Sequence, residues 1–445
     1  MIDPDAIELD ALTEADRLLL AELLDREDGE QEFPVASAQR EMLTTAARFP
    51  DSRAAGIHLA IRLDGRVSLE GLRAAHHTLL SRHSALRTGF RADPDGWRQA
   101  VSEGGEFPMR ISTGEPLDDS CVVTAFERAR EEPFDLLGAG PLARAELITD
   151  RNGAQVLLWS WHHAVVDGYS LGLLWSDFTA AYRGGHEQTE PVPYGEFALW
   201  QREWLAGPEA RRAAERLASA SDSFGDLPPQ RSRPARPDIG AMELVVPAAV
   251  HDELVREAVH RGLTTHMVLL AAYRHEVEAA GLLGAAAPVW TPLAGRTDDR
   301  FMSTVGMFGN VLPVFGRAGG DLSPIRDGCI LAMECQNLPR PELLQTRPIP
   351  ADALFALQNT PSGDGSLPGV RVSVVRPPGV PPVAPILEFY SPPDELFRTA
   401  LSFGYRDGGL TGVFEYDRAE VPDSAATAVV AGIGKWLRSF TGGAR

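Results

Sequence analysis

Lysine is almost absent from the 445 residues: Lys435 is the only one, so nearly all positive charge is carried by arginine. Acidic side chains outnumber basic ones, 62 to 42, and a formal net charge of -20 argues against a nucleic-acid partner. The arginines occur singly or in small groups, such as Arg211-Arg212 and Arg231, Arg233 and Arg236, which leaves room only for a local basic docking patch. Cysteine is also scarce. Cys121, Cys329 and Cys335 form no C-x-x-C pair, so the sequence suggests neither a disulfide framework nor a zinc site, and reduced thiols are expected. No apolar run approaches the ~18 residues that a membrane-spanning helix needs. The start, Met1-Ile2-Asp3-Pro4-Asp5, is acidic where a secretory signal would be basic, so a cytoplasmic protein without a membrane partner is expected.

What remains is a globular composition, 44% hydrophobic and 23% charged. The length exceeds one ordinary core and predicts two domains of roughly 200 residues. After a short acidic helix around residues 11–20, residues 33–49 read as a turn feeding a helix capped by Ser37. Alternation over 56–63 predicts a strand, and the spacing of Leu69, Leu72, Leu79 and Leu80 predicts a helix opened by Ser68. Two strands flank the turn Asp150-Arg151-Asn152-Gly153, and a helix follows over 170–182.

Pro228, Pro229, Pro234 and Pro237 mark an extended connector over 221–240. Beyond it, two helices broken near Gly262 precede strand-like runs at 287–291 and 311–315. Gly and Pro crowd residues 363–385, which reads as loop or edge structure. A hairpin across Asp407-Gly408-Gly409 and a closing amphipathic helix over 423–440 complete the chain. The expected division is an N-terminal extension (1–32), a first lobe (33–185), a connecting segment (186–240) and a second lobe (241–445).

Chemistry concentrates where the strand after that turn meets the helix, in Trp161-His162-His163-Ala164-Val165-Val166-Asp167-Gly168. Neighbouring side chains on a strand point to opposite faces, so one histidine is expected to be catalytic and the other structural. Asp167 is near enough to fix local geometry, and Gly168 lets backbone approach a substrate. The pair His76-His77 lies within a helix, lacks a following Asp-Gly and reads as structural. No H-E-x-x-H and no local third ligand accompany the site, so no metal is expected. Gly432-Ile433-Gly434-Lys435 lacks P-loop spacing. A rival reading overlaps the site: Gly168-Tyr169-Ser170-Leu171-Gly172 spells a G-x-S-x-G nucleophile elbow, although no downstream histidine follows a convincing late strand. The bland alternative makes Ser170 a helix cap.

His162-His163-Ala164-Val165-Val166-Asp167-Gly168 resembles the HHxxxDG signature of the condensation domains of nonribosomal peptide synthetases, relatives of chloramphenicol acetyltransferase. Further matches follow in the family's order. Ala36-Ser37-Ala38-Gln39 resembles S-x-A-Q, and Arg82-His83-Ser84-Ala85-Leu86-Arg87-Thr88-Gly89-Phe90 resembles RHExLRTxF with Ser84 in place of Glu. Pro133-Phe134-Asp135-Leu136 with Gly140-Pro141-Leu142-Ala143-Arg144 is similar to PFDL…GPLxR. Tyr194-Gly195-Glu196-Phe197-Ala198-Leu199-Trp200-Gln201 is similar to YxDFAxWQ. Gly295-Arg296 and Val305-Gly306-Met307-Phe308-Gly309-Asn310 resemble GR…GxFxN, and Leu354-Phe355-Ala356-Leu357-Gln358-Asn359 resembles a later segment.

The resemblance covers residues 33–440 and implies an α/β fold of the α+β type: two chloramphenicol acetyltransferase-like lobes in a V-shaped pseudo-dimer with a central tunnel. It implies that His163 faces the tunnel as base or orienting group, with His162, Asp167 and Gly168 in the catalytic set. Asp167 and Arg296 would form a structural salt bridge, and Ser170, Asn310 and Gln358 would line the tunnel. The implied partners are an acyl or peptidyl carrier protein and a small-molecule or carrier-bound acceptor. No cofactor is expected, because the phosphopantetheine arm arrives on the carrier as part of the substrate. A freestanding, monomeric condensation enzyme is the expectation. The intact motif argues against a silent recruiting domain, and Thr291-Pro292-Leu293-Ala294-Gly295-Arg296 lacks the acidic element of epimerases. The alternatives are a coenzyme A-dependent acyltransferase and a noncatalytic carrier-docking protein.

Overall fold

The computed structural model describes residues 31–49, 55–94, 96–113, 117–137, 141–185, 189–225, 238–358, 366–375, 397–406 and 408–442. The helix expected over 11–20, Gly140, the four prolines of the connector, Asn359, Asp407 and most of the Gly/Pro-rich stretch lie outside them.

The first half supplies strands β1 (Gln31–Pro34), β2 (Gly56–Asp64), β3 (Thr88–Asp93), β4 (Gly96–Val101), β5 (Met109–Thr113), β6 (Ala143–Thr149) and β7 (Gln155–His162). Its helices are α1 (Ser37–Arg48), α2 (Leu69–Arg82), α3 (Asp119–Glu131), α4 (Gly168–Tyr182), α5 (Tyr194–Ala206) and α6 (Pro208–Phe224). Ser68 caps α2 by accepting from Gly71 N, as its spacing predicts. Ser37 is not the cap of α1. Ala36 occupies that position and Ser37 is already helical and buried, because the Gln39 side chain satisfies the Ala36 N–H instead.

The second half carries β8 (Ile239–Val246), α7 (Ala248–His260), α8 (Thr265–Ala279), β9 (Val289–Leu293), β10 (Asn310–Val314), α9 (Ser323–Glu334) and α10 (Arg340–Thr346). It ends with β11 (Ala353–Gln358), β12 (Arg371–Val375), β13 (Thr399–Arg406), β14 (Gly409–Asp417) and α11 (Asp423–Gly442). Gly262 ends α7 at φ +67, and Gly408 turns the β13–β14 hairpin at φ +77, conformations that a side chain would resist. Helix α8 is apolar nearly all round and is buried from Met267 to Arg274.

Three sheets result. A six-stranded sheet of order β10-β9-β11-β13-β14-β8 organises the second lobe, and β11 runs parallel to both neighbours. A five-stranded sheet of order β12-β2-β7-β6-β5 organises the first lobe, and β1-β4-β3 forms a small third sheet. One core packs Trp159, Trp161, Leu72 and Phe178 beside the five-stranded sheet. A second core gathers α8, α11 and the inner face of the six-stranded sheet.

The expected domain boundaries need four corrections. Residues 31 and 32 belong to the first lobe, because β1 pairs with β4. Residues 186–240 are not simply a connector: Tyr194, Phe197 and Ala198 of α5 enter the first core, whereas Ala213 and Leu217 of α6 enter the second. Strand β12, assigned to the second lobe, pairs antiparallel with β2 and extends the first lobe's sheet. Segment 301–308 crosses the same way, since Phe301, Val305 and Phe308 pack in the first core. The lobes are therefore stitched together by exchanged apolar side chains.

Candidate active site

Strand β7 ends at His162, and His163–Val165 form a single 3-10 turn before Asp167 caps α4. The histidines are therefore separated by a change of backbone conformation and not by the strand alternation expected from the sequence, because His163 lies past the end of the strand. Both are buried, His162 at 6% exposure and His163 at 3%.

Their hydrogen bonds fix their protons. Carbonyl oxygen only accepts, so the 2.6 Å contact between His163 Nδ1 and Val166 O requires Nδ1–H and leaves the lone pair on Nε2. His162 has the opposite arrangement: its Nδ1 accepts from Ala164 N at 3.1 Å, so a neutral ring carries its proton on Nε2. Burial pushes His163 down to about 4, against the raising influence of Val166 O and the Asp167 charge. Burial, aided by His163, pushes His162 down to about 3. Both rings are neutral near pH 7.

Asp167 is a junction rather than a bystander. Its Oδ1 accepts from Ser170 N at 2.7 Å and its Oδ2 from Phe308 N at 3.0 Å. Arg296 Nη2 lies 3.3 Å from Oδ1, with the two side chains 1% and 6% exposed. Arg296 Nη1 donates to Phe301 O and Thr304 O, and its guanidinium stacks 3.8 Å from the Phe308 ring centroid. A charge this deep is held by a carboxylate, two carbonyls and an aromatic face together.

Ser170 joins the same network. Gly306 N and Arg296 Nη2 donate to its Oγ at 3.1 and 2.9 Å, and Oγ donates to Gly306 O at 2.9 Å. The expectation that Ser170 lines a tunnel needs correction, because a fully buried hydroxyl with three protein partners is part of the lobe junction. It is neither the helix cap, which is Asp167, nor placed as an elbow nucleophile. Asn310 likewise spends its side chain on the fold: Nδ2 donates to Gln336 O and Leu338 O, and Oδ1 accepts from Arg340 N. Gln358 ends β11 opposite Gly404, half-buried, and makes no hydrogen bond to the histidine turn among the described residues. Thus His162, His163, Asp167, Gly168, Ser170 and Arg296 come together, and Asn310 and Gln358 stand apart.

Several residues that sequence reasoning quoted only as motif letters have structural partners around this centre. Gly306 is required because the Tyr194 ring occupies the space a Cβ would need, while the Tyr194 hydroxyl donates to Met307 O. Gln39 Nε2 donates to Ala164 O at 3.1 Å, and Gln201 Oε1 accepts from Ser37 N at 2.8 Å. Arg144 caps the end of α3 through Ala129 O and stacks on Phe134, whose ring is T-shaped to His162 with centroids 6.0 Å apart. Asp177, which nothing in the pattern marked, takes both Arg82 and His83. His76 is satisfied in the core, donating to Leu72 O and accepting from Trp159 Nε1. No group of three metal-ligating side chains occurs among the described residues, and none of their helices is long and apolar enough to cross a membrane.

Two stitched sheet-and-helix lobes, with a buried neutral histidine turn tied to both, make up a chloramphenicol acetyltransferase-like fold. The chain belongs to the condensation domain family, whose model matches residues 29–323. It is 33% identical over 423 residues, 85% of its length, to the CymA protein of Salinispora arenicola, described as a probable non-canonical nonribosomal peptide synthetase. Gramicidin S synthase 2 of Brevibacillus brevis is 27% identical over 74% of the chain. The chain spans only 5% and 8% of those two relatives. A condensation domain from the Monacolin K polyketide synthase shares the fold, with TM-score 0.76 at 16% identity over 92% of this chain and 97% of that one.

Proposed function

We propose that this chain joins a carrier-bound acyl thioester to an amine or alcohol, forming an amide or ester by direct transfer. The observation that carries the reading is the state of His163, a buried neutral ring whose proton is committed to Val166 O and whose lone pair is on Nε2. Nε2 hydrogen-bonds the nucleophile and takes its proton as the new C–N or C–O bond forms. That proton then goes to the departing pantetheine sulfur, which leaves as a thiol. Gly168 brings backbone close to the thioester, and Asp167 with Arg296 holds the turn.

Magnitudes assign the work. A base pushed down to about 4 is weak, and general-base help is worth about 10² to 10⁴-fold at best. Positioning two bound reactants supplies effective molarities of about 10⁵ M or more. Orientation of the nucleophile is therefore the larger contribution. No cofactor beyond the carrier's phosphopantetheine arm is needed, the partners are the carrier and the acceptor, and the reading places a monomer in the cytoplasm. The three free cysteines, two of them buried, fit a reducing compartment.

The test offers one acyl group both on a carrier protein and on coenzyme A. Faster product formation from the carrier is expected. Equal or better use of acyl-coenzyme A would make the chain a coenzyme A-dependent enzyme, and carrier binding without product from any donor would make it a docking protein. Intact-mass analysis during turnover should show no acyl adduct on the chain.

A further inference from the structure

The Ser37-Ala38-Gln39 segment takes no part in the chemistry just described, yet Gln39 is 1% exposed and both ends of its amide are committed. Oε1 accepts from Ala36 N at 3.0 Å, and Nε2 donates to Ala164 O at 3.1 Å and to Gln99 Oε1 at 3.4 Å. Gln99 Nε2 donates to Pro34 O at 2.8 Å, so Gln99 presents only its oxygen to Gln39. A flipped Gln39 amide would set oxygen against two acceptors, which fixes its orientation. Ala164 is the middle residue of the His163–Val165 turn. The turn is thus held by Gln39 at its centre and by the 2.8 Å bond from His163 N to Ala55 O at its start.

The helix that carries Gln39 also clasps the second lobe. Two ion pairs cross between α1 and α10: Arg340 Nη1 lies 3.0 Å from Glu41 Oε1, and Arg40 pairs with Glu342. Glu342 Oε1 also accepts from Ser37 Oγ at 2.8 Å. Gln201 Oε1 accepts from Ser37 N and fixes the amino end of α1. One face of a 12-residue helix therefore reads the position of α10, and one buried side chain of the same helix touches the histidine turn.

We propose that Gln39 is a positioning residue for His163, and that α1 transmits the seating of the second lobe to the histidine turn through it. This rests on the reading of His163 as the reacting residue. The bond from His163 Nδ1 to Val166 O spans that same turn, so loosening the turn releases the ring's tautomer and aim. Replacing Gln39 by the similarly sized Met removes the donor without opening a large cavity. A fall in kcat of about 10-fold with KM within about twofold is expected from the loss of the amide's three hydrogen bonds, the one to Ala164 O among them, and the slackened aim.

The direct test is ¹⁵N NMR of the imidazoles in the histidine-labelled chain, with the His163 signals assigned by their loss in His163→Gln. Wild type should show a single Nδ1–H tautomer at His163. Gln39→Met should move those signals toward a mixture of tautomers, and Glu41→Gln, which weakens the clasp, should move them less in the same direction. If Gln39→Met fails to fold, Gln39→Glu replaces it: its His163 signals should return toward wild type as pH falls and the new carboxyl gains a proton to donate to Ala164 O. His163 signals that match wild type in a folded Gln39→Met, or in Gln39→Glu while its new carboxyl is ionised, would overturn the positioning role, and signals unchanged in Glu41→Gln would overturn the link to the second lobe. Wild-type activity in His163→Ala would instead remove the functional reading and leave the tautomer result standing, so the two failures are distinguishable.

Discussion

Asp167 and His163 stand four residues apart and contribute differently because their surroundings differ. His163 is neutral, and the transfer proposed for it depends on where one proton sits. Asp167 is tied by three donors, Ser170 N, Phe308 N and Arg296 Nη2, and supports both lobes. Replacing it with Asn leaves the Arg296 guanidinium buried without its counter-charge, a situation that typically costs about 3–5 kcal/mol. Urea denaturation of Asp167→Asn should show a loss of that order, and Ser170→Ala, which removes a neutral hydroxyl, should lose about 1–2 kcal/mol. Equal losses would mean that the ion pair is not the dominant support. At this scale the sequence was legible for residue types: HHxxxDG named the histidines and Asp167, and Gly295-Arg296 named the partner. It was not legible for Ser170, because a serine two residues into a helix looks the same whether it caps the helix, attacks a substrate or bonds Gly306 in the other lobe. Only the long-range partner separates those cases.

At the scale of elements, periodicity and capping predicted β2, α2, the β6–β7 hairpin, α7, α8 and the closing helix, because those signals are local. The edge structure expected around β12 is there, but its partner was not legible, since an edge strand's pairing with β2, some 300 residues earlier, leaves no mark in its own composition. Helices α5 and α6 were absorbed into a connector because the proline-rich run beyond them dominated the reading. Yet Tyr194 and Phe197 on α5, packed 5.0 and 4.4 Å from Phe308, form much of the lobe junction. Gly306→Ala should therefore push the Tyr194 ring aside and destabilise the fold by about 1–3 kcal/mol, the usual cost of overpacking. Combining it with Tyr194→Ala should cost less than the sum of the two single changes, measured by thermal melting. A simple sum would mean that the ring and the glycine do not constrain each other.

Across the whole molecule, buried neutral histidines set the acid limit of stability. His76, His163 and His266 are each pushed down to about 4 and His162 to about 3, in every case mainly by burial. Their folded values lie below the unfolded value of about 6.5, so between those limits the unfolded chain binds more protons and stability falls as pH falls. Unfolding free energy should decline steadily below about pH 6.5, each histidine accounting for an amount on the order of 3 kcal/mol once pH 4 is reached. His76→Gln should flatten that decline, and an unchanged slope would remove His76 from the cause. The family was also legible in the sequence, because seven ordered motifs span both lobes. Which acyl group and which nucleophile meet there was not, because those depend on cavity shape and not on motif letters.

The most direct measurement compares His163→Ala with wild type in product formation from one carrier-loaded acyl donor, offered a matched amine and alcohol. An amine attacks an activated thioester with less need for proton removal, so the variant should lose about 10²-fold or more in ester formation and distinctly less in amide formation. Wild-type rates by His163→Ala with both nucleophiles would contradict the assignment of His163 as the reacting histidine.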